Sequence, residues 1–346
     1  MNKQILLLFA LTIIFFYKPL LHPDQFISVH YSDMIHMGTF TKSLFVDTII
    51  THHELPLWNP YIFSGTPFLS NSQSAMFYPL NYLFLLIPSP FIWTFMMFLN
   101  TFLMGTFTYL YARKIQLPTH SATISAIIYM FAGTVSTRLY VGHTGLLDAM
   151  VWFPLILYFY EVTIQTRKST PAILAGVTLS IMFFTGHVQF IAYGLLAASL
   201  YYILRSLQSK THYRHLTLLY ALSLLVLFSL IPIQLLPSLE FAQYVDRAGG
   251  ITFAESTTFC ITPQWLITFI IPHFFGTPVN STFWHYGNIW ELCAYVGILP
   301  LILTAISLKS KSQYKNIFLF LTLFALAFAL GKYTPLYSIF YHCVPG

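Results

Sequence analysis

Apolar residues run along this chain in long blocks separated by short polar joints. Each block approaches the roughly 20 residues a helix needs to cross a bilayer. The pattern predicts spans over 4–21, 91–112, 119–140, 145–165, 171–186, 188–205, 215–237, 291–308 and 316–331. The fifth and sixth are short and meet at Gly186-His187-Val188-Gln189, which predicts a tight hairpin. Two polar interruptions are longer, 22–88 and 238–290. In the first of them, Met34, Met37, Leu44, Phe45 and Ile49 recur at helical spacing, while Asp33, His36, Ser43 and Asp47 share another face. That predicts a helix over 33–50 lying on the membrane surface, with Asp33 placed to cap its start.

Beyond that helix, Pro56, Pro60, Gly65, Pro67 and Pro79 exclude helical continuation. Trp58, Tyr61, Phe63, Phe68, Phe77 and Tyr78 are interleaved with Asn59, Asn71, Gln73 and Asn81. Aromatic and amide side chains in this density serve either as an interfacial belt or as a platform that stacks on sugar rings and bonds their hydroxyls.

Composition moves the reading the same way. The chain is 57% hydrophobic and 8% charged, with a mean hydropathy of +0.69. Soluble domains carry about 25% charged residues, so the expected architecture is all-α, one polytopic membrane module over 1–346. The apolar run after Lys3 is long and lacks a small-residue cleavage site before Pro23, which predicts a retained first helix. A pI near 9.1 raises nucleic-acid binding, but the basic residues are scattered between apolar runs, which argues against it.

Charge placement orients the bundle. Lys3, Arg113, Lys114, Arg167, Lys168, Arg205, Lys210, Arg214, Lys309, Lys311 and Lys315 fall on one side, 11 of the 16 basic residues. By the positive-inside rule that side is cytoplasmic, so the N-terminus lies inside and the first loop outside. Asp24, Asp33, Asp47, Glu54, Asp148, Glu240, Asp246, Glu255 and Glu291 gather toward the outer side, with Glu161 alone toward the cytoplasm. Cys260, Cys293 and Cys343 show no CxxC spacing and suggest no zinc site.

Three runs carry a resemblance: Leu57-Trp58-Asn59-Pro60, Phe63-Ser64-Gly65-Thr66-Pro67, and Asn71-x-Gln73-x-Ala75-x-Phe77-Tyr78-Pro79. Tyr129-Met130-Phe131-Ala132-Gly133, Trp152-x-Pro154-Leu155 and Gly186-His187-x-Gln189 come after them in the same order. The whole chain thereby resembles the bacterial YfhO-like membrane proteins, which are similar to GT-C glycosyltransferases. The resemblance implies a GT-C-like helix bundle in the bacterial plasma membrane. It implies transfer of a sugar from a polyprenyl-phosphate-linked donor to a cell-surface polymer, such as teichoic acid, or to a lipid acceptor, on the outer face. It further implies helices beyond the C-terminal His342-Cys343-Val344-Pro345-Gly346.

GT-C enzymes place a catalytic aspartate early in the first outer loop, and Asp33 of His30-Tyr31-Ser32-Asp33 matches that position. Met34 stands where many relatives carry a second acid, so no paired-acid metal site is implied, although a divalent metal remains compatible. Asp33 is thus the expected general base. His36, Trp58, Asn59, Asn71, Gln73, His143, His187, Gln189 and Glu240 are expected substrate contacts, with a satisfied polar histidine as the alternative at His187 and metal binding or helix termination as the alternatives at Glu240. Arg138, at the outer end of the third span, either holds the donor phosphate or snorkels to lipid headgroups. Two readings compete with the enzyme: a lipid-linked saccharide transporter or flippase, and a non-catalytic partner in envelope assembly.

Overall fold

The structure is a computed structural model and describes residues 3–27, 29, 32–87, 89–209, 212–285 and 287–344. His30, Tyr31, Pro88, Lys210, Tyr286, Pro345 and Gly346 lie outside the described residues. The chain divides into two compact units, 1–130 with 138–244, and 131–137 with 245–346.

The first unit is a helix bundle. Its helices are α1 (Lys3–Leu21), α2 (Thr39–His52), α3 (Phe91–Lys114), α4 (Thr119–Met130), α5 (Gly133–Val141, of which 133–137 falls in the second unit), α6 (Thr144–Thr166), α7 (Ser169–Phe184), α8 (Val188–Gln208), α9 (Tyr213–Leu230) and α10 (Pro232–Phe241). Helix α3 lies against α1, α4 and α6, and α7 is held between α6 and α9. Glycine sets the last of these contacts: a Cβ on Gly176 would collide with the Ser223 carbonyl oxygen on α9.

Six stretches are long and apolar enough to cross a membrane: Lys3–Leu21, Phe91–Lys114, Thr119–Val141, Thr144–Thr166, Val188–Gln208 and Tyr213–Leu230. The protein is therefore a helical, multi-pass membrane protein in contact with lipid. Exposed apolar side chains agree with that reading, for example Leu6, Ile14 and Phe15 on α1 and Leu218, Leu225 and Phe228 on α9. Hydroxyls inside the spans return to the preceding turn, as Thr12 does to the Leu8 carbonyl and Thr101 to that of Met97, which satisfies them away from water.

The nine-span expectation is met only in part. At about 1.5 Å per residue, the 16 residues of α7 fall short of the hydrocarbon thickness. The expected span at 291–308 divides into α12 (Ile289–Leu292), an extended link that begins at Cys293 and ends at Gly297 (φ +100°), and α13 (Ile298–Ser307). The last expected span shortens to α14 (Lys315–Ala329). The third is one apolar stretch built from two helices, broken at Phe131-Ala132.

The surface-helix expectation also changes. The segment opens with a π-helical turn, Met34–Gly38, before α2 begins. Such a turn fits an extra residue into the coil and rotates the residues before it relative to those after it. Met34 and Phe45 are buried accordingly, while Met37 of the predicted apolar face is exposed. The buried face packs on its own loop, with Phe45, Phe68 and Met76 forming a core that Leu44, Ile49, Leu69 and Phe77 cover.

The second unit carries α11 (Phe253–Ser256), α12, α13, α14 and α15 (Pro335–Cys343), and a small core of Trp265, Phe275 and Leu292 to which α12 contributes Leu292. Trp265 stacks on Phe275 at 4.7 Å, and its indole N–H donates to the Leu292 carbonyl. Glu255, one of the acids assigned above to the outer side, is the acid of a capping box with Thr252. The Thr252 hydroxyl and backbone N–H hold its carboxyl below the usual range.

Candidate functional site

Asp33 does not cap the helix after it. It has no capping hydrogen bond, and its carboxylate Oδ2 lies 3.0 Å from His143 Nε2. The capping expectation is therefore not met. His143 precedes α6, and its Nδ1 lies 2.8 Å from Arg138 Nη1 on α5. A guanidinium only donates, so Nδ1 accepts and the ring hydrogen sits on Nε2, where it is donated to Asp33. Side-chain exposure falls along this chain from 65% at Asp33 to 13% at His143, and Arg138 is 3% exposed.

One glycine allows the approach. Gly142, at φ +73°, carries the turn between α5 and α6, and a Cβ there would collide with Ser32 Oγ and stand 2.8 Å from Met34 Cβ. Only a residue without a side chain lets this turn approach Ser32–Met34 and bring His143 beside Asp33. Arg138 also lies over the Phe190 ring at 5.9 Å, and His187 meets the same ring edge-on at 5.4 Å. Asp33, Arg138, His143 and His187 thus form one contiguous group drawn from the first loop and the ends of α5, α6 and α8.

The remaining expected contacts lie elsewhere. Strand β1 (Trp58–Asn59) pairs antiparallel with β2 (Thr66–Pro67), with Trp58 opposite Pro67. Its hairpin tip bends through Phe63 and Ser64 at positive φ, and the Trp58 indole covers Gly65. Asn59 and Asn71 spend their side-chain oxygens on the backbone N–H groups of Tyr61 and Gln73, which shapes their own turns. Gln73 lies beside the α7–α8 turn, where Gly186 (φ +85°) leaves room for the Ser72 carbonyl. Gln189 donates to the Tyr193 hydroxyl. His36 is exposed on the π turn, and Glu240 is exposed on α10, whose Gln234 and Ser238 tie down the carbonyls of Leu69 and Ser70. Among the described residues, no hydrogen bond, ion pair or ring contact joins Trp58, Asn59 or Glu240 to the Asp33 group.

Sequence reasoning misses a second polar constellation. Lys42 of α2 donates to the Ser74 carbonyl at 2.9 Å and lies over the Phe84 ring. Asn100 of α3 donates to Asp148 of α6 at 2.7 Å, and the Trp152 indole N–H donates to the Tyr78 hydroxyl at 3.2 Å. Burial pushes the Lys42 ammonium down to about 8, with the Asp148 carboxylate opposing that shift. Burial and then the Asp148 charge hold the Tyr78 phenol well above its ordinary value. The signal that could have found it is Asn100 and Asp148 standing inside apolar spans, since intramembrane polar groups are costly and usually functional. Lys42 also lines a cleft of about 500 Å³ between α2 and residues 84–87, 89, 92 and 93, with Thr39, Ser43, Asp47 and Thr51 on its polar wall.

Near the far ends of α6 and α8, Glu161 and Arg205 form a buried ion pair at 2.7 Å, to which Tyr201 and Gln165 also donate. Arg205, counted above among the topology-setting cations, is thus also a packing residue. Among the described residues no three His, Cys, Asp or Glu side chains stand close enough to share a metal ion. Set against known protein families, curated proteins and solved structures, the chain matches none of them.

Proposed function

We propose that the protein is a membrane glycosyltransferase of GT-C type, moving a sugar from a polyprenyl-phosphate donor to a cell-envelope hydroxyl on the outer face. The observation that carries this reading is the Asp33 carboxylate, which is solvent-exposed, free of any capping role and held from behind by His143. A carboxylate so placed suits a general base. The acceptor O–H proton passes to Asp33 as the acceptor oxygen bonds to the sugar's anomeric carbon. The bond from that carbon to the phosphate oxygen breaks, and the polyprenyl phosphate leaves with the electron pair. The cleft beside Lys42 offers an apolar wall of Val46, Ile50, Leu85 and Ile92 next to a basic group, a setting that suits a lipid-linked anion.

The test is transfer of radiolabelled sugar from a panel of polyprenyl-phosphate donors by the chain in vesicles. Asp33→Asn is expected to lower transfer by about 10²–10⁴-fold while membrane insertion stays unchanged. Retained transfer in that variant rejects Asp33 as the base.

One observation favours a second reading, a lipid-linked saccharide transporter. Asp148, hydrogen-bonded to Asn100, and the Glu161–Arg205 pair are buried charges within apolar spans, as transport pathways often require. Counterflow of a labelled lipid-linked saccharide without transfer to an acceptor selects that reading.

A further inference from the structure

Asp33, His143 and Arg138 lie in a line of increasing burial, and each contact in that line has a defined donor. Arg138 donates to His143 Nδ1, which places the imidazole hydrogen on Nε2, and Nε2–H is donated to Asp33 Oδ2. Both ring nitrogens are therefore engaged, and the exposed end of the chain is a carboxylate. Arg138 is itself placed by burial and by the Phe190 ring. Gly142 holds the two segments at the distance this requires.

From this geometry we infer that His143 and Arg138 are positioning residues for Asp33 rather than substrate ligands. Arg138 fixes the tautomer of His143, and His143 fixes the rotamer of Asp33. Asp33 Oδ2 is the anchored oxygen, and Oδ1 is the oxygen that receives the acceptor proton. The guanidinium thereby serves the carboxylate through the imidazole, in place of the phosphate-holding role its position in the sequence implies. The inference rests on the glycosyltransferase reading for its catalytic consequence, but the hydrogen-bonded chain itself is testable without it.

Glutamine is the informative substitution at position 143. Its amide N–H₂ donates to Asp33 and its amide oxygen accepts from Arg138, yet it carries no proton that it can release. With the full chain in nanodiscs, His143→Gln is expected to keep sugar transfer within about tenfold of wild type, whereas His143→Leu is expected to lose about 10²-fold, the scale of a misplaced catalytic group. Equal losses in the two variants, or a His143→Leu variant as active as wild type, overturn the positioning role. Nitrogen-15 NMR of the histidines, with His143 assigned by its loss in His143→Gln, reads the tautomer directly. A hydrogen on Nε2 that shifts to a mixture of tautomers in Arg138→Met is expected, and a hydrogen on Nδ1 in the wild-type protein overturns the inference. A wild-type chain that shows the Nε2–H tautomer but transfers no sugar rejects the glycosyltransferase reading and leaves the hydrogen-bonded chain standing.

Discussion

At the scale of single residues, the most consequential are those without a functional group. Gly142 has both a positive φ and no room for a Cβ, since Ser32 and Met34 already occupy that space. Gly142→Ala is expected to destabilise by about 1–3 kcal/mol and to separate His143 from Asp33. Thermal melting in detergent checks this, with Gly249→Ala as the control because nothing lies within 4 Å of that position. Lys42 gives a pH-dependent prediction. Burial lowers its amine to about 8 from an ordinary 10.5, so between those values the folded chain binds fewer protons than the unfolded chain. Stability contributed by this group therefore rises with pH across that window and is lowest below pH 8. Melting temperatures tracked from about pH 7.5 to about pH 10 are expected to show this rise in wild type and to lose it in Lys42→Met.

At the scale of elements, the contact of α6 with α8 rests on a charge pair that lipid cannot solvate. Glu161 accepts from Arg205, Tyr201 and Gln165, so these hydrogen bonds are charge-assisted. Removing one partner strands the other: Glu161→Ala is expected to cost about 3–5 kcal/mol, whereas Glu161→Leu combined with Arg205→Met recovers most of that loss. Denaturation of the two variants in detergent micelles separates the outcomes. The first loop is an element of a different kind. Its aromatic residues divide between a buried core around Phe45, Phe68 and Met76 and an exposed hairpin tip, where Phe63 is 91% exposed. Hydrogen bonds from Lys42, Gln234 and Ser238 tie down the loop's own carbonyls at Ser74, Leu69 and Ser70.

At the scale of the whole molecule, the distribution of Lys and Arg predicts that the first loop faces outward. In a cysteine-free background, Phe63→Cys in intact cells is expected to react with a membrane-impermeant maleimide, while Lys114→Cys is labelled only after permeabilisation. The reverse pattern overturns the orientation.

The class of this protein was legible in the chain itself. Apolar run length and charge deficit are properties of local stretches, and bilayer thickness converts them directly into spans, so α1, α3, α6, α8 and α9 lie close to where the pattern puts them. The interruptions were less legible. A π turn at Met34 and an extended link from Cys293 to Gly297 alter the register without changing the hydropathy, and the surface helix and the eighth span shift accordingly. Asp33 was singled out by the first-loop resemblance, and Arg138, His143 and His187 were identifiable as polar residues near span ends, with Arg138 and His143 close in the chain, but the approach of Asp33 to His143 was not legible. Periodicity states which face a residue occupies and is silent on what lies opposite. Tertiary packing alone decided that Asp33 turns from its own helix to His143 and that the Asp148 charge acts on Lys42, whereas Arg138 meets that histidine across a single turn of the chain. The Asp33–His143 and Lys42–Asp148 approaches join residues far apart in the chain, and the first is set by how closely two backbones meet at Gly142.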